Sequence, residues 1–143
     1  MPVITGLTGT QLRFRPGGAR RVAYPRAVGS FTDPEHELHP EDVRDRLARG
    51  EVALVDVREQ YEWDAGRIAG ARHIELDRLA SRSDEIPRDR PVVFQCRLGA
   101  RSAMATQAFR AAGWDAYNLA GGIMEWVRRG LPIEPKDGKV APH

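Results

Sequence analysis

Cysteine is nearly absent from this chain: Cys96 is the single one in 143 residues. An intramolecular disulfide is therefore excluded, and so is thioredoxin-like exchange with a resolving cysteine on the same chain. Long apolar runs are missing too, so no segment has the length that spans a bilayer, and no charged-then-apolar signal opens the sequence. Both absences point to a cytoplasmic protein with no membrane partner. The histidines His36, His39, His73 and His143 lack ligand spacing, so a metal site is not expected, and no residue pattern calls for a cofactor.

Acidic residues are absent from residues 1–32, which carry Arg13, Arg15, Arg20, Arg21 and Arg26; since the overall charge is +2, the remainder is net negative by three. A basic arm can bind nucleic acid or another anion, but more often it is a solvated tail, and nucleic acid is not expected as a partner. With 29% charged and 41% hydrophobic residues, the composition is that of a globular protein whose length suits one domain. Pro2, Pro16, Pro25 and Pro34 and the pair Gly17-Gly18 mark residues 1–36 as an extension holding at most one hairpin. A domain over 37–134 and a polar, frayed tail over 135–143 follow.

Within the domain, strands and helices alternate. Glu37-Leu38 reads as an edge strand. Pro40 opens a helix with Val43 and Leu47 on one face and Gly50 as its stop. The apolar run 52–57 suits a central parallel strand covered on both faces, and it brings Asp56 and Arg58 to the sheet's carboxyl edge. A short helix over 60–65, a strand over 72–74, a helix over 76–81 and a strand over 92–95 come next. They are followed by a helix over 102–112 closed by Gly113, a strand over 114–119, the Gly121-Gly122 turn and a helix over 123–129. This order predicts an α/β fold: an open parallel sheet with helices on both faces and right-handed crossovers.

Cys96 then falls in a strand-to-helix turn, at the sheet edge where ligands bind and where backbone N–H groups and a helix N-terminus favour an anion. Arg97 and Arg101 flank it, no acidic residue intervenes, and Gly99 lets the backbone curl. A small buried apolar role is common for a free cysteine. The two arginines favour instead a reactive thiolate in a partly exposed, electropositive site.

Three stretches resemble the rhodanese family of sulfurtransferases. They are Asp56-Val57-Arg58-Glu59 with Glu62-Trp63-Asp64-Ala65-Gly66-Arg67-Ile68-Ala69-Gly70-Ala71, then Cys96-Arg97-Leu98-Gly99-Ala100-Arg101-Ser102, and then Leu119-Ala120-Gly121-Gly122 with Trp126 and Gly130-Leu131-Pro132. Arg67 and Ala69 depart from the family's usual histidine and proline. The resemblance implies a rhodanese-like open five-stranded parallel sheet and a double displacement. In it the Cys96 thiolate takes sulfur from a donor such as thiosulfate, becomes a persulfide, and passes the sulfur to cyanide, a small thiol or a protein thiol. The loop residues Arg97, Leu98, Gly99, Ala100, Arg101 and Ser102 would bind the substrate, with N–H groups from 97 to 102 holding the persulfide's charge. Arg97 is the candidate for the donor's anionic group. Arg101 either faces the loop or pairs with Glu62 or Asp56, Arg58 is equally ambiguous, and Ser102 is either a helix cap or a donor to sulfur. Trp63 and Trp126 read as core or rim aromatics.

By resemblance the same fold carries cysteine-dependent phosphatases and arsenate reductases. Those phosphatases place five residues between cysteine and arginine; here only Arg97, Leu98, Gly99 and Ala100 intervene, and the shorter loop favours sulfur. A binding module without turnover, or a protein persulfide carrier, is the other alternative, and the retained cysteine favours the enzyme.

Overall fold

A computed structural model describes residues 31–143, and the hairpin expected near the N-terminus lies outside the described residues. Five strands, β1 (Glu37–Leu38), β2 (Ala53–Asp56), β3 (Arg72–His73), β4 (Val92–Gln95) and β5 (Ala116–Leu119), form one sheet in the order β1-β5-β4-β2-β3. Every pairing is parallel. Among the described residues four α-helices, α1 (Pro40–Ala48), α2 (Gln60–Ala65), α3 (Ala100–Ala111) and α4 (Gly122–Arg128), complete the α/β fold expected from the alternating pattern.

Period-two alternation along the central strands builds two separate cores. From β2 and β4, Val55, Val57, Val92 and Phe94 point to one face, where Ala105, Ala108 and Phe109 of α3 cover them. Val52, Leu54 and Val93 point to the other, under Val43 of α1 and Ile123 and Trp126 of α4. Phe109 sits between Phe94 and Trp114, with ring centroids 4.9 and 4.8 Å away. Cys96 continues the series Val92, Phe94 and so belongs to the α3 face. The strand's own pattern aims its sulfur at the start of that helix.

Two expectations need correction. The helix expected over 76–81 is a single 3₁₀ turn, Leu76–Arg78, and a second, Ser83–Glu85, follows it. The segment's apolar anchors, Leu76 and Leu79, are three apart, the repeat of a 3₁₀ turn, and one helical turn is too short to sustain an α-helix.

The chain after Ile133 is not frayed. Arg67 and Glu134 exchange backbone hydrogen bonds of 2.9 and 2.7 Å, Lys139 N–H donates to Ala65 O at 2.8 Å, and the Tyr61 hydroxyl donates to Pro142 O at 3.1 Å. The crossing depends on Gly66, where a Cβ would stand 2.4 Å from the Lys139 carbonyl oxygen. Gly66→Ala is expected to detach the C-terminal segment, read as limited proteolysis near residue 139 that the wild type resists.

Candidate active site

The site is assembled at the carboxyl ends of β2 and β4. β4 ends at Gln95, and the loop Cys96 to Gly99 turns directly into α3. Gly99 has φ +116°, a region that favours glycine, and this curl aims its N–H at Cys96 Sγ, 3.1 Å away. Ser102 contributes its N–H at 3.4 Å and its hydroxyl at 3.3 Å. Ser102 is therefore not the cap of α3; Gly99 holds that position, and Ser102 lies in the first helical turn. Ala100 and Arg101 share that turn, whose N–H groups have no intrahelical acceptor. Of the N–H groups expected to converge, those of Gly99 and Ser102 are bonded to the sulfur.

Cys96 is only 1% exposed, which corrects the expectation of a partly exposed thiol. It lies on the floor of the loop because it inherits the inward phase of β4, while Leu98, at 48%, stands at the rim. The residue is nearly excluded from solvent, and its sulfur still faces three hydrogen-bond donors.

The loop is gripped from beneath by α4. Ile123 N–H donates to Cys96 O at 2.9 Å and Met124 N–H donates to Arg97 O at 3.1 Å. Contact this close requires glycine at 122: its φ is +66°, and a Cβ there would fall 2.4 Å from Arg97 O. The Gly121-Gly122 pair, legible in the sequence as a turn, thus also fixes the cysteine loop.

Arg101 resolves its ambiguity toward Glu62. Its Nη1 and Nη2 donate to Glu62 Oε2 and Oε1 at 2.8 and 3.0 Å, and Glu62 is fully buried. Glu62 Oε2 also accepts the Glu59 N–H at 3.0 Å in a capping box at the start of α2. One carboxylate therefore locks α2 to α3. Burial alone would raise the Glu62 carboxyl pKa, but the hydrogen bonds from Arg101 and Glu59 and the charge of Arg101 outweigh it and hold it below the usual range. Burial likewise works against charge on Arg101, and the hydrogen bonds to Glu62 outweigh it and hold its pKa up.

A carboxyl depressed by folding contributes stability above its unfolded pKa, about 4.3, and that contribution disappears as pH falls through the lower folded value. The urea-midpoint difference between the wild type and Glu62→Gln is expected to be widest near neutral pH and to narrow below about pH 4.

Arg58 and Asp56 form a second pair with both side chains at 0% exposure. Asp56 accepts from Arg58 N–H at 3.0 Å and Nη2 at 2.8 Å, and the same Nη2 reaches Gly66 O at 2.8 Å. Neither residue makes a described hydrogen bond to Cys96; the pair ties the end of β2 to the turn after α2. Arg97 is half-buried, and its Nε has no partner among the described residues. Trp126 is core, with Nε1 donating to Pro132 O at 2.8 Å, and Trp63 stacks on His73 at 4.9 Å. Among the described residues no cluster of metal-ligating side chains occurs, and no helix is long and apolar enough to cross a membrane.

Fold and loop together define a class: a parallel α/β domain whose one cysteine sits in an amide-lined turn at the sheet's carboxyl edge. The family model for the rhodanese-like domain matches residues 39–129, and the chain belongs to that family. It is 41% identical over 105 residues to a sulfurtransferase of Allochromatium vinosum, covering 72% of this chain and 98% of that protein. It is 36% identical over 103 residues to the human thiosulfate:glutathione sulfurtransferase, covering 62% of this chain and 90% of that protein. The crystal structure of a rhodanese-related protein from Thermoplasma volcanium superimposes with a TM-score of 0.64 at 26% identity, over 68% of this chain and 96% of that one.

Sequence reasoning missed Asn118, Glu37 and the Phe31-Thr32 segment, which adjoin the loop from the far side. The available signal was a lone amide, Asn118, near the end of an otherwise apolar strand.

Proposed function

We propose that the protein transfers sulfane sulfur through a persulfide on Cys96. The thiolate's electron pair attacks the outer sulfur of thiosulfate; the sulfur–sulfur bond of thiosulfate breaks and sulfite departs with its electrons. Cyanide or a thiolate then attacks the outer persulfide sulfur, carrying it away as thiocyanate or a new persulfide, and the Cys96 thiolate returns. The observation that carries this reading is the set of donors at Sγ: Gly99 N–H, Ser102 N–H and the Ser102 hydroxyl, all within 3.4 Å. Fixed dipoles of this kind stabilise a negative sulfur with no reorganisation. The unpartnered Nε of Arg97 suits the sulfonate end of the donor, since guanidinium geometry matches such a group.

The near-complete burial of Cys96 favours a slender sulfur donor over a bulky ester. Both terminal nitrogens of Arg101 are engaged by Glu62, so the arginine that a phosphatase would turn toward phosphate is already committed. Intact-mass measurement after thiosulfate treatment tests the reading. One added sulfur atom per chain, removed by cyanide, is the expected result. An unmodified protein, or Cys96-dependent hydrolysis of an aryl phosphate, contradicts it.

A further inference from the structure

Asn118 is 1% exposed, yet it carries an amide into a strand that otherwise contributes apolar side chains to the core. Its Nδ2 donates to Gly99 O at 3.2 Å and to Glu37 Oε2 at 3.1 Å. Both partners are acceptors, which fixes the amide's orientation and leaves Oδ1 buried without a partner among the described residues. An apolar residue would fill this position with no unpaired group, so a half-satisfied amide here needs a reason beyond packing.

The reason lies in what it connects. Glu37 stands in register with Asn118 across β1 and β5, and the same Oε2 accepts the Thr32 N–H at 3.2 Å and the Thr32 hydroxyl. Next to Thr32, the Phe31 ring lies where a Cβ on Gly99 would meet it at 3.2 Å. Gly99 is the cysteine-loop residue with positive φ; its carbonyl accepts the Ala103 N–H at 3.0 Å within α3, and this network adds a second bond to that carbonyl and packs its open side. The chain of contacts Thr32, Glu37, Asn118, Gly99 ends at the N–H that faces Cys96 Sγ at 3.1 Å.

We propose that Asn118, held by Glu37 and Thr32, is a positioning residue for sulfur transfer: it restrains Gly99 so that its N–H stays aimed at the Cys96 sulfur. The inference rests on the reading of Cys96 as the nucleophile. Asn118→Leu keeps the branching and the number of side-chain heavy atoms and removes both hydrogen bonds. In the full chain at fixed neutral pH, Cys96 alkylation by iodoacetamide and sulfur loading from thiosulfate are each expected to slow about tenfold or more. The Gly99 amide resonance should shift while the amide resonances of α4 stay in place. A residue that only packs the core would lower the melting temperature but leave the Gly99 resonance and both rates, measured well below melting, within twofold of wild type; that result overturns the proposal. If Asn118→Leu does not fold, Thr32→Val reads the same coupling from the far end. A slowing of at least about threefold supports it, and unchanged rates overturn it. Should the wild type take no sulfur from thiosulfate, the functional reading fails, while alkylation and the Gly99 resonance still decide the positioning role.

Discussion

Cys96→Ser is expected to reduce thiosulfate-to-cyanide sulfur transfer to background, a loss of at least about three orders of magnitude, with the fold intact. The hydroxyl is smaller and occupies the same floor of the loop, so the neighbours Gly99 and Ser102 keep their places. What disappears is the nucleophile: serine has no adjacent general base here, because the groups around Sγ are donors, Gly99 N–H, Ser102 N–H and the Ser102 hydroxyl. A hydrogen-bond cradle that stabilises a thiolate cannot by itself deprotonate an alcohol. Thiocyanate formation, measured alongside circular dichroism of the variant, checks both halves of the expectation. Activity within tenfold of wild type would remove Cys96 from the reaction.

The second large effect is on stability. Asp56→Ala is expected to cost about 3–5 kcal/mol, because it leaves a buried guanidinium without its counter-charge. Asp56 and Arg58 are both fully buried, and the carboxylate receives the Arg58 backbone N–H as well as its side chain. The remaining bond from Arg58 Nη2 to Gly66 O does not neutralise the charge. A loss of that size is a large part of the stability of an ordinary domain. The double variant Asp56→Leu with Arg58→Met, which removes both charges, is expected to be more stable than Asp56→Ala. Urea unfolding of the two proteins measures the difference. A single variant that loses less than about 1 kcal/mol would show that the pair is not the desolvated contact described here.

Much of this architecture was legible in the sequence because it is written in local periodicity. The apolar runs ending at Asp56 and Gln95, each followed by a helix, require parallel strands with their carboxyl ends side by side. Gly99 between two arginines marks the turn at that edge. The burial of Cys96 is written in the same pattern, since its phase matches Val92 and Phe94, while the flanking arginines point to charge instead. The direction of Arg101 was not legible. It depends on a contact with Glu62, 39 residues away, and that contact arises when α2 and α3 meet above the sheet.

The same holds for the far side of the loop. Asn118 and Glu37 are 81 residues apart, and only the pairing of β1 with β5 puts their side chains together. No spacing rule within either segment announces it. The packing of the C-terminal segment was hidden for a related reason: its hydrogen bonds to Ala65 and Arg67 are backbone contacts, made possible by the missing side chain at Gly66. A polar composition suggested fraying, but backbone pairing does not depend on polarity.

Sulfite release in the absence of any acceptor tests the central claim most directly. When thiosulfate alone is mixed with the protein, one equivalent of sulfite per chain is expected in a single burst, followed by stoichiometric thiocyanate when cyanide is added. Sulfite that appears only when cyanide is already present would mean that no sulfur rests on Cys96 between the two half-reactions, and would contradict the persulfide account.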